Sequence, residues 1–329
     1  MKKVLVTGAS GFIAKHIVKH LLEKGYAVRG SIRSTQRKAE VEALFPEGDL
    51  EFVELDLTSD DGWPAALEGV DVLMHTASPF PSGTPKDPME LIGPAVEGTR
   101  RAFEAAAAAG VRRVILTSSC VAIYQDSSKP PMAQPTEDNW SDPEAKFSSA
   151  YDASKTLAER KAWELAEEHS LELTTINPGA IFGPALDENY GTSLQLVEQM
   201  LNGDFPAYPR INLPMVDARD VAFMHVHAID NPATVGERFA ANAGGLYMIE
   251  AARILAEAEP ERRLKLRQAP DWMLRIMALF DRQIAQAVGN LGRNADVDGS
   301  KAERVMGFTY IPTPEALLAS AAFLKAQAK

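Results

Sequence analysis

A chain of 329 residues with 46% apolar and 24% charged side chains has the composition of a globular protein, long enough for a large α/β domain with an appended part. A net charge of −11 disfavours nucleic acid and anionic lipid as partners, and no apolar run approaches the roughly 20 residues of a membrane span. The single cysteine, Cys120, excludes a disulfide framework and fits a reducing cytoplasm, and the six histidines show no metal-ligand spacing.

Residues 3–7 enter a strand at once, which leaves no room for a signal peptide and points to a cytoplasmic protein. Further strands are predicted at 27–32, 51–55, 71–75, 113–118 and 172–176. Helices are predicted at 11–24, 37–44, 61–67, 88–109 and 150–169, the fourth ending at Gly110. This alternation predicts a doubly wound parallel sheet, a Rossmann-type α/β core, and the unbroken apolar strands fit a sheet buried on both faces. Beyond residue 176 prolines and glycines crowd the stretch to Pro214, followed by a helix at 218–229, a strand at 237–240 and more helices. The expected division is a nucleotide-binding core of residues 1–176 plus about 215–244, with a smaller, mainly helical substrate-covering part of 177–214 plus about 245–329. The apolar stretch Trp272–Phe280 reads first as an amphipathic core helix, and second as a lid or dimer face.

Residues 7–14, Thr-Gly-Ala-Ser-Gly-Phe-Ile-Ala, follow the first strand and open the first helix. Gly8 permits a tight turn, Gly11 a close backbone approach, and Ser10, Phe12 and Ile13 place the helix N-terminus against a pyrophosphate. The second strand ends without the acidic residue that would bind an NAD ribose. Arg33, with Lys38 or Arg37, stands there instead and suits the 2′-phosphate of NADP; a solvated basic loop is the alternative. Asp56 and Leu57, after the third strand, lie beside the adenine or simply cap a turn.

Tyr151 and Lys155 are four apart on a predicted helix, so they share a face. A neighbouring ammonium favours the phenolate of a tyrosine whose free pKa is near 10, and so assists proton exchange. The fifth strand ends in Thr117-Ser118-Ser119, where a hydroxyl can hold a carbonyl oxygen over a cofactor. Residues 7–14, 75–78, 117–119 and 177–178 all fall at the C-terminal edge of the predicted sheet, where ligands collect in this architecture.

These segments, with Pro-Ala-Val-Glu-Gly-Thr (94–99), Asn-Pro-Gly-Ala-Ile-Phe-Gly-Pro (177–184), Val-Asp-Ala-Arg-Asp-Val-Ala (216–222) and Asp-Gly-Ser-Lys-Ala (298–302), make the chain resemble an extended short-chain dehydrogenase/reductase. Within that group it is similar to the branch of dihydroflavonol reductases, cinnamoyl-CoA reductases and bacterial aldehyde/ketone reductases. The resemblance implies Ser119, Tyr151 and Lys155 as the catalytic three, with Thr76, Ala77 and Ser78 along the nicotinamide side. It implies Pro178, Ala180, Ile181 and Ser193 at the nicotinamide end. Ala95 stands where many extended members place a proton-relay asparagine, which counts against a sugar epimerase.

The expected activity is NADPH-dependent reduction of a neutral, bulky aldehyde or ketone, by a monomer or homodimer that needs no metal. Phe80, Tyr190, Phe205, Tyr208 and Arg210 are expected to line the substrate, or else to form the small part's own core. A nucleotide-sugar epimerase or dehydratase retaining NAD is the second reading, and a non-catalytic dinucleotide sensor the third.

Overall fold

The computed structural model describes residues 1–329 except 35, 80–84, 86, 126–129, 131–132, 146–147, 281–283, 286–287, 328–329 and the side chain at 36. Seven parallel strands form the main sheet: β1 (Lys3–Val6), β2 (Ala27–Ile32), β3 (Leu50–Glu54), β4 (Val72–His75), β5 (Arg113–Thr117), β6 (Glu172–Pro178) and β9 (Glu237–Ala241). Their order is β3-β2-β1-β4-β5-β6-β9, so the chain reverses direction across the sheet between β1 and β4. That switch opens the crevice in which such sheets bind ligands.

The central strands are apolar on both faces because both faces are covered. Val4, Val6, Val72, Met74 and Ile115 pack with α1 (Phe12–Glu23) and α7 (Ala218–Ala228). Leu5, Leu73, Val114 and Leu116 point the other way. They meet α3 (Trp63–Leu67), α4 (Met89–Ala108) and α5 (Ala150–Glu168). α2 (Gln36–Leu44) bridges β2 and β3 at the exposed margin. Ser149 caps α5: its hydroxyl accepts from Asp152 N at 3.1 Å while the Asp152 carboxylate accepts from Ser149 N at 3.0 Å. This reciprocal cap fixes the first turn of the helix, the turn that carries Tyr151.

The smaller part holds a second sheet that the sequence reading did not contain, of β7 (Ala180–Phe182), β8 (Asn212–Asp217) and β10 (Gly244–Tyr247) in the order β10-β8-β7. α6 (Thr192–Asn202), α8 (Met248–Ala258) and α11 (Thr313–Gln327) cover it. Gly179 sits where the two sheets separate, and a Cβ there would lie 2.5 Å from the Pro214 carbonyl oxygen. Only a glycine lets the two backbones pass so closely.

Two expectations are corrected. Residues 300–310, assigned from sequence to the substrate-covering part, pack with the main sheet instead: α10 (Ser300–Met306) and Tyr310 join the cluster of α1 and α7. The stretch from Trp272 forms α9 (Asp271–Met277), but none of its side chains is buried and Trp272 is 66% exposed. Among the described residues none of its side chains joins a buried apolar cluster. Among the described residues no helix is long and apolar enough to cross a membrane.

Candidate active site

The loop between β1 and α1 is built as the glycines require. Gly8 adopts a positive φ of 68°, and Gly11 N donates to Gly8 O at 2.9 Å to close the turn. A Cβ on Gly8 would meet Ala77 at 3.1 Å, so a side chain there is both strained and crowded. No side chain caps α1, which leaves its first N–H groups directed out of the helix end. Those donors, with the partial positive charge of the helix, fit a dinucleotide pyrophosphate. Phe12 meets His16 edge-on, Ile13 anchors the turn in the core, and the Ser10 carbonyl accepts from Asn189 Nδ2 at 3.0 Å. The last contact was not foreseen. It belongs to a clasp in which buried Lys15 pairs with Asp187 and donates to Asn189 O at 3.0 Å.

Thr7 joins this loop to the end of β4. Its hydroxyl oxygen accepts from Thr76 N at 3.1 Å and Ala77 N at 3.0 Å, and lies 3.0 Å from His75 Nδ1. The Thr76 hydroxyl returns a bond to the Thr7 carbonyl. Thr76, Ala77 and the partly buried Ser78 thus line the crevice beside the glycine turn. Burial pushes the His75 imidazole down to about 3, so it stays neutral.

At the end of β2, Arg33 is exposed, as are Arg37 and Lys38 on α2. Lys38 pairs with Glu42 at 3.3 Å. Asp56 caps a turn: its carboxylate accepts from Thr58 N at 2.8 Å and the Thr58 hydroxyl at 2.7 Å, and these bonds hold it below its ordinary range. Leu57 packs against Gly98 of α4, where a Cβ would come within 3.1 Å.

The structure brings Ser119, Tyr151 and Lys155 together. Ser119 follows β5; its Oγ accepts from Val121 N at 3.3 Å, lies 3.5 Å from Pro178 O, and hydrogen-bonds the Tyr151 phenol. Lys155, one turn along α5, is buried against neutral His75. Burial raises the phenol to about 12, and the group pulling it down is Ser119. Lys155 is not among the groups that shift the phenol, and burial brings its own ammonium down to about 8. At neutral pH Tyr151 therefore holds its proton, the state a general acid needs.

The Thr117 hydroxyl is engaged by His225. His225 Nδ1 donates to Val221 O at 2.8 Å, which leaves Nε2 to accept from the Thr117 hydroxyl at 2.7 Å. Pro178 ends β6, Ala180 and Ile181 open β7, and Ser193 lies in the first turn of α6.

The expected substrate wall is mostly elsewhere. Tyr208 is fully buried in the small part's core with Phe205 stacked on it at 5.4 Å, and Tyr190 packs on Phe323 while donating to Glu198 at 3.2 Å. Arg210 pairs with Asp271 at 2.6 Å. Phe80 lies outside the described residues. Sequence reasoning missed residues near Tyr151: Tyr124, which it influences, Gln125, whose amide donates to Asp152 at 2.9 Å and Asn290 at 3.4 Å, and, beyond them, Arg293, whose charge reaches Tyr124. No local motif marks these residues; they meet only through the fold.

A tyrosine bonded to a serine just past the end of β5, with a lysine one turn along its helix and a glycine turn opening α1 at the same sheet, fits an extended short-chain dehydrogenase/reductase. The model of the NAD dependent epimerase/dehydratase family matches residues 4–244, and the chain belongs to that family. It is 37% identical over 265 residues to cinnamoyl-CoA reductase 1 of Arabidopsis thaliana, covering 79% of this chain and 76% of the relative. Among solved structures it is similar to the yeast methylglyoxal/isovaleraldehyde reductase complexed with NADPH, with 27% identity, TM-score 0.83 and 99% of both chains covered. The corresponding NADPH complex from Candida albicans gives 26% identity and a TM-score of 0.81 over 100% of both chains.

Proposed function

We propose that the protein is an NADPH-dependent oxidoreductase that reduces the carbonyl group of a neutral aldehyde or ketone, with Tyr151 as the proton donor. The observation that carries this reading is the hydrogen bond between the Tyr151 phenol and Ser119, with Lys155 one turn away on the same helix. When bound, the dinucleotide supplies the hydride. Ser119 orients the carbonyl oxygen and polarises it, Tyr151 protonates that oxygen, and Lys155 holds the nicotinamide ribose through its ammonium. Thr76–Ser78, Pro178, Ala180, Ile181 and Ser193 bound the nicotinamide, and the N-terminus of α1 takes the pyrophosphate.

Arg33 takes the 2′-phosphate, and Arg37 is its partner rather than Lys38, which is paired along its helix with Glu42. The charge of Arg37 reaches Lys15 at the phosphate loop. A charge-assisted bond contributes about 1.5–3 kcal/mol, so Arg33→Asp is expected to cut the preference for NADPH over NADH by roughly tenfold to a hundredfold. Steady-state kinetics with both cofactors checks this; a preference that does not move removes Arg33 from the role.

A neutral carbonyl substrate is favoured because the likeness to the yeast aldehyde reductase spans both chains, the small part included. A second reading, reduction of an acyl-CoA thioester, is favoured by the identity to cinnamoyl-CoA reductase and by the cation Arg293 near Tyr124. Cofactor absorbance followed over a panel of neutral aldehydes, ketones, keto acids and acyl-CoA thioesters decides between them. Neutral carbonyls are expected to give the highest kcat/KM. An acyl-CoA on top establishes the second reading, and tightly retained NAD without NADPH turnover returns the protein to epimerase chemistry.

A further inference from the structure

Behind Ser119 and Lys155 lies a buried ion pair that takes no part in the chemistry above. Glu159 stands one turn beyond Lys155 on α5, with a side chain wholly removed from solvent. Its Oε1 accepts from Arg238 Nε at 2.7 Å, Thr175 Oγ1 at 3.2 Å and Trp163 Nε1 at 3.4 Å. Its Oε2 accepts from Ser118 Oγ at 2.6 Å and Asn177 Nδ2 at 2.7 Å. These donors saturate a carboxylate, which offers about four lone-pair sites. The same Asn177 amide donates to the Ser119 carbonyl at 3.3 Å. Arg238 in turn donates to Glu137 O at 2.5 Å and Asn139 O at 2.7 Å, with its guanidinium 3.7 Å over the Trp140 ring.

We propose that Glu159 is a positioning residue: it fastens the strand end that carries Ser119 to the helix that carries Tyr151 and Lys155. This rests on the reading that Tyr151 and Lys155 carry the chemistry. The placement follows from the partners, since Ser118 directly follows β5, Thr175 and Asn177 lie in β6, Arg238 lies in β9, and all converge on one side chain of α5. The same buried carboxylate stands one turn beyond Lys155 on α5, so its charge also supports that ammonium where burial opposes it.

The other groups facing Lys155 offer no support. His75 from β4 is neutral, the Tyr151 phenol and the Cys120 thiol are held protonated by burial, and Asp152 is raised by burial and bound to Gln125. On α4, which packs along α5, Arg100 pairs with Glu97 and Glu104, and Arg101 with Asp60. Stability alone explains the pair poorly, because buried ion pairs are seldom better than apolar replacements.

The test is Glu159→Gln in the full chain, with Lys155 followed by NMR of ¹³C-labelled lysine in the cofactor-free protein. The titration midpoint of Lys155 is expected to fall by about one pH unit, and the alkaline limit of NADPH binding with it. Arg238→Lys, which disturbs the same bonds but keeps the charge, is expected to lower the melting temperature and leave that midpoint in place. Ser118→Ala removes one tie to β5 and is expected to lower kcat by about tenfold with the NADPH Kd unchanged. A Lys155 midpoint that stays put in folded Glu159→Gln, or full kcat in Ser118→Ala, overturns the proposal; if Glu159→Gln does not fold, the Ser118 variant decides. The lysine titration and NADPH binding need no turnover, so failure here is separable from failure of the carbonyl-reductase reading.

Discussion

Tyr151→Phe is expected to lower kcat by two to four orders of magnitude while the NADPH Kd stays within about threefold. The substitution keeps the ring that fills the space beside Ser119 and deletes only the transferable proton. Because burial holds the phenol up at about 12, the wild-type residue is loaded with its proton across the physiological range. The variant therefore loses a donor that is always ready, and raising the proton concentration should not restore it. Stopped-flow reduction of an aldehyde, with cofactor fluorescence for binding, separates the two effects. Near-normal turnover in the variant would show that another group protonates the oxygen.

Lys155→Met is expected to act on binding and rate together, raising the NADPH Kd at least tenfold and lowering kcat by about a hundredfold or more. An ammonium with a pKa of about 8 is present below that value and lost above it. In the wild type the affinity for NADPH should therefore weaken as pH rises through this range, and in Lys155→Met that limb should vanish. Titrations from pH 6 to 10 give both curves. A variant that keeps the alkaline limb would place the responsible ionisation on a different group.

Much of the nucleotide half was legible because its determinants are local. Val4–Val6 and Val114–Leu116 are unbroken apolar runs, which a sheet covered on both faces demands, and the glycine turn at Gly8 lies within a few residues of the helix it opens. The Tyr151–Lys155 spacing is likewise local. The smaller part was not readable in the same way. β8 contains Pro214 and meets partners on either side only in the finished fold, so its six residues carry no pattern of their own. Tyr190, Phe205 and Tyr208 are apolar at positions that suit either a ligand wall or a core, and composition cannot say which side of the small sheet they face. Glu159 and Arg238 are 79 residues apart, so no spacing rule connects them.

The return of α10 to the nucleotide-binding core has a consequence for how the protein is made. Ile17, Val18 and Leu21 of the first helix share their cluster with Ala302, Met306 and Tyr310 near the other end of the chain. At a translation rate of about 5–20 residues per second, α1 emerges roughly 15–60 s before the segment that completes its packing. During that interval the nascent chain presents an unfinished apolar face along α1 and α7, a surface on which chaperones act and neighbouring chains can misassociate. The ribosome thus delivers the loop before α1 well ahead of the ground on which that helix rests.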